Sequence, residues 1–218
     1  ANKRKMNVVD ATCPLVHEIH NEVKKLAKDG FNVTDNNANA VKFSKTLIVC
    51  VGPQQLKNLL RNIRKLLTKD YLIISVVSGI SIKEINNQLP KKINVIRAMP
   101  NTASSICESI TCLCSDSNSQ KNEALQEATS IFKFLGKTIT IPEENMIAAT
   151  ALGACGIAFF LRAIRAASQG GIEIGFHSKE SFLIAAQTAK GAASLVLESS
   201  SHPESEIDNV TTPKGATI

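Results

Sequence analysis

The 218-residue chain has no tryptophan, a single tyrosine, and only 4% aromatic residues. Binding single-stranded nucleic acid rests on stacking bases against exposed aromatic faces. The basic stretch Leu56–Arg64 has none, so no nucleic-acid partner is expected. No run of 18 uncharged apolar residues occurs, which argues against a membrane-spanning helix and a membrane partner. The basic start, Ala1–Met6, is followed by no apolar h-region, so a secretory signal is not expected. Six cysteines in a chain this long do not make a disulfide scaffold, and they read as reduced thiols of a cytoplasmic protein. Internal repeats and low-complexity tracts are missing.

What is present is enough to bury a core: 44% of residues are hydrophobic and 20% charged. The net charge of +6 is uneven. Residues 1–33 carry a net +2, residues 34–100 a net +8, and residues 101–218 a net −4. A basic middle suits phosphate-bearing ligands, while a solvated helix face is the plainer explanation.

The first hundred residues alternate apolar runs with amphipathic ones. Asn7–Asp10, Phe31–Val33, Thr46–Val51, Tyr71–Val77 and Ile93–Ile96 read as strands. Residues 14–28, 54–68 and 82–89 read as helices, with Ser81 a ready N-cap and Asp35–Asn37 a turn. That alternation predicts an α/β domain with a doubly wound parallel sheet. After one more passage over Thr111–Ile141, with a helix near 120–135, strands stop. Asn145–Gln169 and Lys179–Ser199 are long and Ala-rich, apolar on more than one face, and separated by Gly170-Gly171. They predict helices buried in a bundle or a subunit interface. The tail from Ser199 onward reads as a loop.

Ligands of open α/β sheets bind at the carboxyl ends of the strands. Here these ends are Cys50–Pro53, Val77–Gly79 and Ala98–Thr102, rich in small residues that let a ligand approach the backbone. A G-x-G-x-x-G loop is missing after the first strand, and Asp10–Pro14 stands there instead. Pro14 removes a backbone donor that a phosphate cradle would use.

From Thr34 to Ile218 the sequence resembles pyrroline-5-carboxylate reductases. The carrying segments are Asp35-Asn-Asn-Ala-Asn-Ala-Val41, Val49-Cys-Val-Gly-Pro-Gln54, Ser75-Val-Val-Ser-Gly79, Arg97-Ala-Met-Pro-Asn-Thr-Ala103, Ala148-Ala-Thr-Ala-Leu-Gly-Ala-Cys-Gly-Ile-Ala158, Gly171-Ile-Glu-Ile-Gly175, Ala185-Ala-Gln-Thr188 and Val210-Thr-Thr-Pro-Lys-Gly-Ala-Thr-Ile218. The resemblance implies reduction of the ring C=N of 1-pyrroline-5-carboxylate to L-proline by hydride from NADPH or NADH, the last step of proline synthesis. It implies a Rossmann-like cofactor domain over 34–141, preceded by an atypical segment 1–33. It further implies an all-α dimerisation and substrate domain over 142–218, hence a homodimer or larger homo-oligomer. Carried over by position, Asn37 falls on the adenosine side of the cofactor. Val51, Gly52 and Pro53 fall under the cofactor, Ser78 near the nicotinamide, and Asn101 and Thr102 beside hydride transfer. Asn209, Gly215, Ala216 and Thr217 match the substrate loop, with Thr217 the donor near the ring nitrogen. Glu143, or Glu144 one residue on, matches an acidic position near that pocket.

The departures are specific. The family usually has Lys where Gly52 stands, Gly where Lys214 stands, and Ser where Gly153 stands. The family's first strand and glycine loop have no counterpart. Instead, Asn7-Val-Val-Asp-Ala-Thr-Cys-Pro-Leu-Val16, with His20 and a Lys-rich helix, resembles 4-hydroxy-3-methylbut-2-enyl diphosphate reductases over about residues 3–33. In that family Cys13 would ligate an iron–sulfur cluster. The remaining cysteines lack that family's context: Cys50 and Cys155 read as small core residues, and Cys112-x-Cys114 is too tight for usual metal spacing. His17 and His20, one helical turn apart, read as an exposed helix face. No metal is expected. The alternatives to an active reductase are a relic of the same fold that only dimerises and, behind it, an iron–sulfur reductase.

Overall fold

The computed structural model describes residues 7–9, 27–34, 36–90, 93–116 and 123–215, the first three by backbone alone. The chain divides into two compact units, Ala1–Cys155 and Gly156–Ile218.

In the first unit β1 (Asn7–Val9) runs parallel to β2 (Asn32–Thr34), with Val8 opposite Val33. A second sheet has the order β3 (Thr46–Val49), β4 (Leu72–Ser75), β5 (Asn94–Met99), β6 (Ser109–Ser115) and β7 (Gly136–Thr140). The helices are α1 (Asn37–Phe43), α2 (Pro53–Ile63), α3 (Ile82–Asn86), α4 (Glu123–Phe132) and α5 (Met146–Ala149). Successive strand residues feed opposite faces. Ile73, Val95, Met99 and Cys114 join Leu60, Ile82, Ile85 and Met146 on one face. Ile74, Ile96 and Leu113 join Ala128 and Phe132 of α4 on the other. Both faces are covered, which is why these strands read as unbroken apolar runs rather than alternating ones.

The strands expected within residues 46–100 pair in parallel, β3–β4 and β4–β5; beyond them β6 runs antiparallel to β5, with Arg97 opposite Cys114, and β6–β7 is parallel again. The cause is connection length. A parallel crossover takes a dozen or more residues, and residues 100–108 are too few. They form a 3-10 turn, Thr102–Ile106, closed by Cys107 in the left-handed region at φ 61°.

The second unit holds α6 (Gly156–Glu173), α7 (Ser178–Ser199) and α8 (Pro203–Val210). Gly170 and Gly171 do not separate the long helices; both lie inside α6, and the break comes at residues 174–177. Gly171 marks close helix packing. A Cβ there would sit 2.1 Å from Ser181 Oγ, and that hydroxyl donates to the Ser168 carbonyl at 2.5 Å. The tail is not all loop either. His202 caps α8, its Nδ1 accepting the Glu204 N–H at 3.3 Å, and Pro203 takes the first helical position, where its missing donor costs nothing.

Within a single chain the long helices are not buried: Phe159, Phe160, Phe182 and Leu183 are all more than half exposed. The run Glu143–Glu173 is also long and apolar enough to cross a bilayer by length and composition alone. This corrects the exclusion drawn from uncharged runs. Cys112 and Cys114 are buried, whereas Cys50 and Cys155 are exposed and are not core residues.

Candidate active site at the carboxyl edge of the sheet

The register sets Val49 beside Ser75 and Ser75 beside Arg97, so β3 and β4 end level and the parallel β5 ends two residues further on, at Met99. The loops 50–52, 76–81 and 100–101 therefore share one edge of the sheet, and the expected cofactor residues from Val51 to Thr102 fall on these loops and the turns they open. Gly52 is the N-cap of α2 at φ −61° and ψ 149°, its N–H donating to Gln55 Oε1 at 3.1 Å, and Pro53 follows at the first helical position. Val51 is half-buried and Ser78 exposed. Behind Ser78, Ser81 and Glu84 form a reciprocal cap at the start of α3: Ser81 N–H donates to Glu84 Oε2 at 2.8 Å, and Glu84 N–H to Ser81 Oγ at 3.2 Å. The Ser81 hydroxyl, and then its N–H, hold the Glu84 carboxyl below the usual carboxylate range. This cap weakens as pH falls through that lowered value.

Asn37 does not sit in a turn. It opens α1, and the cap is Asn36, whose Oδ1 accepts from the Ala38 and Asn39 N–H groups at 2.9 and 3.3 Å. Asn37 Oδ1 is buried without a partner among the described residues. Such an orphan acceptor suits a ligand donor such as an adenine amine or ribose hydroxyl.

Asn101 is tied into the protein through every polar group it has near this edge. Its N–H donates to Ser109 Oγ at 3.1 Å, its Oδ1 accepts the Ala103 N–H at 3.0 Å, and its Nδ2 donates to the Gly153 carbonyl at 3.2 Å. Gly153 lies in a π-helical turn, Thr150–Cys155, a form that shifts the backbone pairing register and frequently marks functional positions. Thr102 is exposed.

Glu143 faces the sheet, whereas Glu144 is exposed. Glu143 Oε1 accepts from the Ile82 N–H at 2.7 Å and from Arg97 Nη1 at 3.0 Å. Arg97 is 6% exposed, and its Nε has no partner among the described residues. Cys114 lies opposite it, and burial pushes that thiol up to about 11. Sequence reasoning passed over Arg97, Ser109, Gly136 and the Gly153 carbonyl. For Arg97 a signal existed: it is the one charge within the apolar run Ile93–Met99.

In the second unit Asn209 is exposed near the end of α8. Gly215 closes a turn, its N–H donating to the Thr212 carbonyl at 2.8 Å, with Lys214 in the left-handed region at φ 63°. Ala216 and Thr217 lie outside the described residues, as do Asp10–Pro14, Cys13, His17 and His20. Among the described residues no three His, Cys, Asp or Glu side chains gather as a metal site.

A doubly covered sheet with loops converging at the ends of parallel strands defines a Rossmann-like nucleotide-binding protein followed by a helical unit. Comparisons with known proteins narrow this. A family model described as pyrroline-5-carboxylate reductase dimerisation matches residues 143–218. Pyrroline-5-carboxylate reductase 2 of Dictyostelium discoideum is 47% identical over 204 residues, covering 88% of this chain and 68% of the relative. The reductase of Methanosarcina acetivorans is 35% identical over 192 residues, covering 88% and 71%. Pyrroline-5-carboxylate reductase 1 of Dictyostelium discoideum is 52% identical over 206 residues, covering 90% of this chain but only 37% of that relative's length. Among solved structures, the Coxiella burnetii reductase superposes with a TM-score of 0.79 at 28% identity, covering 88% of this chain and 72% of that one. The Plasmodium falciparum enzyme, solved with NADP bound, gives 0.78 at 26%, covering 86% and 71%. The chain belongs to the pyrroline-5-carboxylate reductase family. A LytB protein model also matches residues 1–111, in line with the second resemblance of the N-terminal segment and extending beyond it.

Proposed function

We propose that this chain reduces 1-pyrroline-5-carboxylate to L-proline with NAD(P)H. The observation that carries this reading is the shared edge of β3, β4 and β5, where the loops matching the family's cofactor residues lie together. The residues present suit a dinucleotide. Asn37 offers a buried unpaired acceptor, and Gly52 caps the eleven-residue α2, whose N-terminal N–H groups favour anions. Bound NAD(P)H would supply a hydride to C5 of the ring. The chain's own part is to orient the imine, hold its carboxylate on backbone donors at Gly215, Ala216 and Thr217, and deliver a proton to the ring nitrogen, for which Thr217 is the proposed donor. The exposed apolar residues of α6 and α7 suit pairing with a second copy of the chain, which sedimentation would show as a dimer or larger species.

The test is oxidation of NADPH and of NADH by purified protein, followed at 340 nm with and without the imine. Imine-dependent oxidation with proline as product supports the reading, and its absence overturns it. A second reading, a dimerising protein without turnover, is favoured by Lys214, whose side chain stands in a left-handed position of the substrate loop. The same assay decides between them.

Gly52 gives a separate prediction. A Cβ there meets only side-chain atoms at 3.5 Å, and φ −61° suits any residue. Gly52→Lys should restore a charge near the cofactor phosphates and tighten NADPH binding on the order of fivefold at low salt, fading as salt rises. Fluorescence titration at two ionic strengths checks both parts.

A further inference from the structure

Likeness to the family puts Glu143 near the substrate, but the structure gives its carboxylate another task. Glu143 Oε1 takes two donors from different elements: the N–H of Ile82, the first residue of α3, and Nη1 of Arg97 in the middle of β5. The Ile82 N–H is one of the orphan donors of a helix start, and the Ser81–Glu84 cap leaves it unsatisfied. Arg97 is almost fully buried, and Glu143 is its ion-pair partner at 3.0 Å. The loop 76–81 thus has both ends fixed. One end leaves β4 in register with β5, and the other is held through Ile82 by Glu143. Ser78 stands between them on that loop.

We infer that Glu143 is a positioning residue that holds the β4–α3 loop, and Ser78 with it, in the form the cofactor needs, rather than a group that binds the substrate. This rests on the reductase reading of the same site. Glu143→Ala removes both hydrogen bonds. It should raise the KM for NADPH about tenfold, the scale of a lost hydrogen bond to a charged group, and leave the KM for the imine within about twofold. Hydrogen exchange across residues 78–86 should quicken. Glu143→Gln keeps an acceptor for Ile82 but strands the Arg97 charge, so it should keep slow exchange at Ile82 and lower the melting temperature. Adding Arg97→Met to Glu143→Gln removes the buried charge and should return the melting temperature towards the starting value with the NADPH KM little changed.

The inference is overturned if Glu143→Ala raises the KM for the imine tenfold while that for NADPH stays put, or if exchange over 78–86 is unaltered. If Glu143→Ala fails to fold, the paired variant carries the test: a failure to recover stability overturns the inference. Should the starting protein turn over no imine, the reductase reading fails by itself. Exchange and NADPH titration still report on the loop.

Discussion

Gly136→Ala is expected to cost about 4 kcal/mol or more and to drop the melting temperature of the first unit steeply. Gly136 sits at φ 135° and ψ −149°, a region that is essentially glycine's alone and costs other residues on the order of 1–3 kcal/mol. Space makes it worse. A Cβ would stand 2.1 Å from the Ser109 carbonyl oxygen and 2.5 Å from its nitrogen, both backbone atoms that no rotamer change can move. Gly136 and Ser109 are register partners that start β7 and β6. Ser109 Oγ also takes the Asn101 N–H, so pushing Ser109 aside shifts the loop that carries Asn101 and Thr102. Loss of cofactor affinity should therefore accompany loss of stability. Thermal melts with and without NADPH measure both; a melting temperature within a few degrees of the starting value would contradict the expectation.

The parallel core was readable because burial leaves a one-dimensional trace. Leu72–Ser75 and Asn94–Met99 are short apolar runs ended by Gly, Pro or Ser, as suits strands covered on both faces, and Thr46–Val49 reads the same way although Ile48 is exposed. Strand direction leaves no such trace. That β6 turns back against β5 follows from the length of 100–108 and from Cys107 adopting a left-handed conformation usually given to glycine, which a propensity reading does not foresee. Gly170-Gly171 misled for a related reason. Glycine breaks helices by its freedom and also admits a neighbour by its lack of a side chain, and here the neighbour is Ser181.

For the site, small residues at strand ends were visible, and their convergence follows from register alone. What a side chain does there was not visible. Asn101 and Glu143 share residue type with ligand-binding groups, and Asn101 Oδ1 and Nδ2 and Glu143 Oε1 also bond Ala103, Gly153, Ile82 and Arg97, partners up to 61 residues away in sequence. Cys50 and Cys155 mislead the other way: their apolar stretches suggest core, but Cys50 follows the end of β3, Cys155 closes the π-helical turn, and both are exposed. Apolar context marks burial in the assembled protein, and a single chain with exposed Phe159, Phe160 and Phe182 on its long helices is incomplete in that respect.

Gly215→Ala is expected to lower kcat/KM for the imine by about a hundredfold or more, the scale of losing an oriented backbone donor, while moving the melting temperature little. The turn Thr212–Gly215 is surface structure, so few buried contacts depend on it. Its geometry is nevertheless tight. A Cβ on Gly215 would lie 2.5 Å from Thr212 Oγ1 and 2.9 Å from the Thr212 carbonyl oxygen, the atom that accepts the Gly215 N–H. Alanine must break that hydrogen bond or open the turn, and either movement redirects the N–H groups that follow, including those proposed to hold the substrate carboxylate. Lys214 supplies the opposing variant. At φ 63° its side chain costs about 1 kcal/mol that glycine would not, so Lys214→Gly should leave the turn intact and raise kcat/KM or leave it unchanged. Steady-state kinetics on both variants, with melts alongside, separate a loop effect from unfolding. Equal kcat/KM for Gly215→Ala and the starting protein would show that this loop does not hold the substrate.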